Sequence, residues 1–360
     1  MRGIITVNLD TIKANVLKFK RRIGKDTKII GVVKADGYGH GAKEIAKYVR
    51  AIDAFAAAGA DEGADLRDAT EKPILILGYD EPETAVAQNL TLSVWDKSQV
   101  KEIAALSEKV GKKASVAIAV DTGMNRTGVK TEKEFTDLYG EISLYKNLAI
   151  SGVYSHLLRG DDEDGSLSQL REFTRITERA GGVEKSIAAT ARATDKRFAL
   201  SAVRLGIGMY GYGETFVRPA LSLRGSVVRV SRISAGESVG YNSGYIARKP
   251  TYMATLSLGY ADGISRRYTG GSVIINGKKR KIVGNVCMDY SFAAADEKTK
   301  RGDEVIFIGE SGGERITAED VAKKEGTICY EVLTRLKRIE RRYVKSILRN
   351  DAHIFDIYRE

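Results

Sequence analysis

The chain has 360 residues, with 58 Lys and Arg against 47 Asp and Glu, giving a net charge of +11. Hydrophobic residues make up 43% and charged residues 29%, a globular composition that excludes a disordered or collagen-like chain. Two cysteines, Cys287 and Cys329, are too few for a disulfide framework and lack metal-ligand spacing, so no metal is expected. The N-terminal MRGIITVNLD shows no signal-peptide pattern. No window reaches the roughly 18 apolar residues that cross a bilayer, so a soluble cytoplasmic protein without a membrane partner is expected. The charge fits a solvated basic surface or an anionic small ligand better than nucleic acid. Basic residues are spread along the chain, and the cluster Arg335–Arg349 lacks the interleaved aromatics of a stacking platform.

Ile4–Leu9 alternates as a short strand, and Asp10 stands where a helix N-cap would, ahead of Ile12, Val16 and Phe19 at helical spacing. Apolar, strand-like runs then recur at Ile29–Val33, Ala54–Ala58, Ile74–Leu77, Leu90–Val94, Ala114–Val120, Leu148–Tyr154, Ser186–Ala189 and Ala202–Ile207. Most are followed by a helical-period stretch, such as Ser98–Val110. Eight such units predict a (β/α)8 barrel over residues 10–218; an open doubly wound sheet usually has fewer repeats. After Arg218 the strands crowd together at Ser222–Val230, Met253–Leu258, Ser272–Ile275, Lys281–Val286 and Glu304–Ile308. Turn signals at Asn276-Gly277 and Gly302-Asp303 separate them. One helix, capped by Thr317 with Asp320, interrupts the run. A mostly β second domain over 219–360 is therefore expected, with the opening strand, residues 1–9, joining it.

Lys34 ends an apolar strand, and barrel active sites sit at strand C-termini. A lysine at such a mouth loses solvation, its pKa falls, and it can form a Schiff base with an aldehyde. The Gly-rich loop that follows, with the Tyr38 hydroxyl, suits a phosphate; His40 reads as loop packing. Arg126, in Asp121-Thr-Gly-Met-Asn-Arg, has the fork geometry for a carboxylate, or is a surface arginine. His156, after the sixth strand, can pack on a flat ring or serve as a polar rim residue. The N–H groups near Gly206 and Ile207 suit a phosphate, with Arg204 on the inner wall beneath. Val239-Gly-Tyr241, Leu258-Gly-Tyr260-Ala-Asp-Gly and Val286-Cys-Met288-Asp289 place residues beside turns and say no more alone.

In this order, from Val7 to about Arg342, the segments resemble the alanine racemase family of fold-type III pyridoxal-phosphate (PLP) enzymes. The resemblance implies a PLP-binding barrel, a β domain and a head-to-tail homodimer with shared active sites. It implies that Lys34 binds the cofactor and is one catalytic base, and that Tyr241 of the other subunit is the opposite base. Tyr38, Thr190 and the backbones of Gly206 and Ile207 would hold the phosphate. Arg204 would face the pyridine nitrogen, and His156 would orient that arginine and lie by the ring. Arg126 and the Met288 backbone would meet the carboxylate of a small amino-acid substrate, while Tyr260 and Asp289 match entrance positions. A cation beside Tyr241, Arg126 or His156, would lower its pKa towards neutrality.

Three positions depart from the family. Ala119 stands where a carbamylated lysine often orients the arginine, so Arg126 needs another anion. Ala189-Thr190 replaces Asn-Ser. The tail is one residue short, with no pocket-lining tyrosine near Lys337. Interconversion of L- and D-alanine is the expected activity. A racemase of serine, lysine or ornithine is the alternative, and a fold-type III decarboxylase is the less favoured one.

Overall fold

The computed structural model of the chain describes residues 3–346 and divides it into two compact units: Asp10–Arg218, and Pro219–Ser346 together with the residues up to Leu9. The expected second domain extends to residue 360, of which 347–360 lie outside the described residues, as does the end of the basic cluster.

After β1 (Ile4–Asn8), the first unit contains eight parallel strands: β2 (Lys28–Val32), β3 (Ala54–Ala57), β4 (Ile74–Ile76), β5 (Thr91–Val94), β6 (Ala114–Ala119), β7 (Leu148–Tyr154), β8 (Glu184–Ser186) and β9 (Ala202–Leu205). Their order is β8-β7-β6-β5-β4-β3-β2-β9, and the Arg204 N–H to Ala188 carbonyl bond (3.0 Å) ties the two ends into a nearly closed barrel. Helices start where the sequence offers reciprocal caps. Asp96 with Gln99 opens Lys97–Val110, and Thr131 with Glu134 opens Glu132–Ser143.

Three local expectations are corrected here. The helix Leu9–Ile23 begins two residues early, so Asp10 lies inside its first turn, where its carboxylate accepts the Tyr48 hydroxyl (2.5 Å). The seventh barrel strand is Glu184–Ser186, not Ser186–Ala189. Ile187 and Ala188 are fully buried beyond the strand's end, with Ala188 keeping only the bond from Arg204, so their apolar character reports burial. No α-helix follows it; two single turns of 3-10 helix, Thr190–Arg192 and Lys196–Phe198, take its place.

In the second unit, β1 pairs antiparallel with β10 (Leu221–Ile233) and parallel with the last strand, Glu340–Val344. A two-residue turn with Asn276 (φ 51°) and Gly277 (φ 70°) joins Ser272–Ile275 to Lys278–Lys281. The expected strand Lys281–Val286 therefore lies mostly beyond its real partner: the turn sets pairing at residue 278, and Ile282 keeps only an isolated bridge to Ala293. Two helices, Ala318–Glu325 and Cys329–Thr334, replace the expected single one.

Candidate active site

Lys34 follows β2 at the C-terminal end of the barrel and opens a left-handed turn. Ala35, Asp36, Gly37 and Tyr38 have φ of 52°, 51°, 62° and 53°. For residues other than glycine this backbone costs about 1–2 kcal/mol each, so the turn persists only because its surroundings hold it. Glu62 is one such brace, accepting the Ala35 and Ala58 N–H groups, both at 2.8 Å. Among the described residues, the Lys34 ammonium has no hydrogen bond and no carboxylate within ion-pair distance. Burial, then the Arg126 charge, lowers its pKa from 10.5; Glu62 opposes them.

Arg204, on β9, is 4% exposed. One terminal nitrogen donates to the Ser186 carbonyl (3.0 Å) and hydroxyl, and the other to the Ser155 carbonyl. Its guanidinium carbon lies 5.1 Å from the centre of the Tyr154 ring. Burial brings its pKa down to about 10, so it stays charged at neutral pH. Its Nε has no acceptor among the described residues. His156 is held down to about 4, first by burial and then by Arg204, Arg126 and Lys34. The expected role of His156 as a cationic neighbour is therefore corrected: burial first, and then the surrounding positive charges, keep the imidazole neutral.

Tyr38 is buried, and its hydroxyl would lie 2.8 Å from a Cβ added at Gly206, so only glycine permits the approach. The Thr190 hydroxyl accepts the Gly208 N–H (3.1 Å). The N–H groups of Gly206 and Ile207 have no acceptor among the described residues, an arrangement suited to an anion. His40 is buried as a packing residue, with Nδ1 3.0 Å from the Tyr38 carbonyl and its ring 4.5 Å from that of Tyr210.

The free donors, the neutral ring of His156 and the unpaired amine fit a flat, phosphorylated aldehyde with a basic ring nitrogen. Arg126 is exposed in the loop after β6, and no carboxylate pairs with it among the described residues. Ala119 is buried at the end of β6 and offers it no anion. Asp121 shapes the loop by accepting the Gly123 and Asn125 N–H groups at 2.9 and 3.0 Å.

The remaining expected residues lie on the β unit. Asn285 binds the Tyr241 carbonyl (2.8 Å), and the Tyr260 and Ala261 N–H groups donate to the Cys287 and Met288 carbonyls (2.9 and 3.0 Å). These bonds gather three loops. Tyr241, Tyr260 and Met288 remain exposed, and Asp289 pairs with Arg338 at 3.0 Å. The sequence reading missed Tyr154, Ser186, Glu62 and Gln169. Strand alternation puts Tyr154 and His156 on one side and could have flagged Tyr154. Gln169 bonds the Thr122 hydroxyl (3.0 Å), the His156 carbonyl (3.2 Å) and the Leu158 N–H (2.9 Å), contacts no local pattern announces.

Residues 7–214 match the alanine racemase N-terminal domain family and residues 220–343 the alanine racemase C-terminal domain family. The chain is 37% identical over 366 residues to alanine racemase of Carboxydothermus hydrogenoformans, covering 94% of this chain and 98% of that protein. It is 35% identical over 370 residues to alanine racemase 2 of Caldanaerobacter subterraneus subsp. tengcongensis, covering 94% of each. The solved alanine racemase of Bacillus anthracis with bound L-Ala-P superposes with a TM-score of 0.89 at 31% identity, covering 96% of this chain and 95% of that one. The histidine racemase of Leuconostoc mesenteroides subsp. sake superposes with a TM-score of 0.88 at 28% identity, covering 96% and 98%. With both family domains matched in order and these identities sustained over nearly the full length, the chain belongs to the alanine racemase family.

Proposed function

We propose that the chain is a PLP-dependent racemase that interconverts L- and D-alanine by moving the α-proton between two bases on opposite faces of the substrate. Lys34 is one base, and Tyr241 of a second copy is the other. The observation that carries this reading is the half-buried Lys34 amine, lowered in pKa and unpaired, which together with Arg204 and Arg126 acts on the imidazole of His156. PLP, held through its aldehyde by Lys34, supplies an electron sink for the pair left when the α-proton departs. The Tyr38 hydroxyl and the Gly206 and Ile207 N–H groups would hold its phosphate, and Thr190 shapes that loop through Gly208.

Arg204, whose Nε has no acceptor among the described residues, would be the residue that faces the cofactor's ring nitrogen. A guanidinium of pKa about 10 keeps its proton at neutral pH, so it does not protonate that nitrogen. This limits charge withdrawal into the ring and disfavours transamination. Arg126 of one copy and the Met288 N–H of the other would meet the substrate carboxylate, while Tyr260 and Asp289 of that second copy would flank the way in. The substrate carboxylate itself then pairs the otherwise unpaired Arg126.

A second reading, a racemase of another amino acid such as serine, lysine or ornithine, is favoured by two observations. The same fold at nearly the same superposition is a histidine racemase, and this chain lacks a tyrosine near Lys337. A racemisation screen over amino acids, read by chiral separation, separates the two. Lys34→Ala is expected to abolish both turnover and the PLP adduct fixed by borohydride. An adduct that persists at another residue overturns the assignment. Tyr241→Phe is expected to keep the adduct and lose α-proton exchange from the L-enantiomer.

A further inference from the structure

A second cavity, of about 420 Å³, lies at the opposite, N-terminal end of the same barrel. Its cause is legible in the strand register. Barrel interiors are usually filled by layers of bulky branched side chains. Here the lower layers place Ala54 beside Ile30, Thr91 beside Leu75, and Ala117 beside Gly152, which in turn neighbours Glu184. Small side chains at Ala54, Thr91, Ala117 and Gly152 leave the space unfilled. Ile30, Ala54 and Leu75, which share the inward face, with Pro73 give it apolar walls, while Phe55 and Val153 alternate to the outer face and are buried there. Tyr154 and Ser186, which pack against and bind Arg204, line it as well.

The rim carries paired charges. Lys28 Nζ lies 2.9 Å from Glu184, and Asp53 stands beside them with one carboxylate oxygen accepting the Ile29 N–H (2.8 Å). A ligand with a single charge entering between Lys28 and Glu184 would leave one of them unpaired. A zwitterion can pair both: its carboxylate to Lys28, its ammonium to Glu184 and Asp53. An apolar side chain on that head would then reach the walls below. The volume lies within the range of small-molecule sites.

We propose that this N-terminal mouth binds an α-amino acid with a bulky apolar side chain, at a site separate from the one around Lys34. The head group bridges Lys28 and Glu184, and the side chain packs against Ile30, Ala54 and Leu75.

The test is calorimetric titration of L-phenylalanine into the purified full-length protein after borohydride treatment, which stops turnover at Lys34. One saturable site per chain is expected. Glu184→Gln, at the part-exposed rim, and Ala117→Leu, which fills the interior, should each weaken binding at least tenfold. L-phenylalanine methyl ester, lacking the carboxylate, should bind at least tenfold more weakly. Absence of binding, binding unchanged in either folded variant, or ester binding as tight as the amino acid overturns the proposal. Should Ala117→Leu not fold, Glu184→Gln and the ester decide it. Because the readout is binding and not racemisation, failure here is distinct from failure of the racemase reading.

Discussion

At the scale of single residues, burial and neighbouring charge set the chemistry. His156 shows this most sharply, since its pKa falls to about 4 from 6.5. The unfolded chain takes up the proton near pH 6.5, whereas the folded chain resists it until about pH 4. Stability at neutral pH is therefore lost progressively as pH drops through that window, by an order-of-magnitude ~3 kcal/mol. We predict that His156→Asn loses less stability than the unsubstituted protein between pH 7 and pH 4.5, as read by urea midpoints. Equal losses would show that the imidazole stays accessible to protons. Lys34 follows the same physics with the opposite aim: its depressed pKa makes the free amine available below the ordinary lysine range. Lysine at a strand end before a Gly-rich loop was readable in the sequence. The depth of His156 and the cations around it were not, because they come from β2, β6, β7 and β9.

Between elements, Glu62 joins the turn after β2 to the end of β3 through two N–H groups. It lies on the helix Ala60–Arg67, 28 residues from Lys34 in the sequence numbering. Its charge also raises the Lys34 pKa. Replacing it by Gln removes the negative charge and leaves one N–H without an acceptor. Glu62→Gln should thus shift the pH dependence of covalent PLP capture at Lys34 to lower pH, and should slow racemisation as the turn loosens. Capture rates from pH 6 to 10 measure the shift. An unchanged half-point would show that Glu62 acts only on the backbone. Caps and the Asn276-Gly277 turn were legible because they are local. The seventh barrel strand was misplaced because burial beyond a strand's end has the same apolar signature as a strand.

For the whole molecule, the β unit leaves Tyr241, Tyr260, Met288, Tyr290 and Ile246 exposed, with Tyr241 at 70%. Apolar groups that size rarely stay uncovered in a protein that works as a single chain. We predict that the inactive Lys34→Ala and Tyr241→Phe variants, mixed under conditions that exchange subunits, recover part of the lost activity. With the two bases drawn from different chains, one of the two sites in the mixed dimer then holds both the intact lysine and the intact tyrosine, and the other holds neither. No recovery despite confirmed exchange would place both bases in one chain. Among the described residues, no helix is long and apolar enough to cross a membrane.

The amino-acid order alone determined the βα rhythm, the later run of crowded strands and the residue types able to carry this chemistry, because periodicity, turn residues and short motifs act over a few positions. Tertiary structure decided the rest: that Arg204 is locked by Ser155 and Ser186, that His156 is neutral, and that small inward residues open a second mouth in the barrel. Burial and charge depend on which distant strands meet, and that meeting exists only once the barrel has closed.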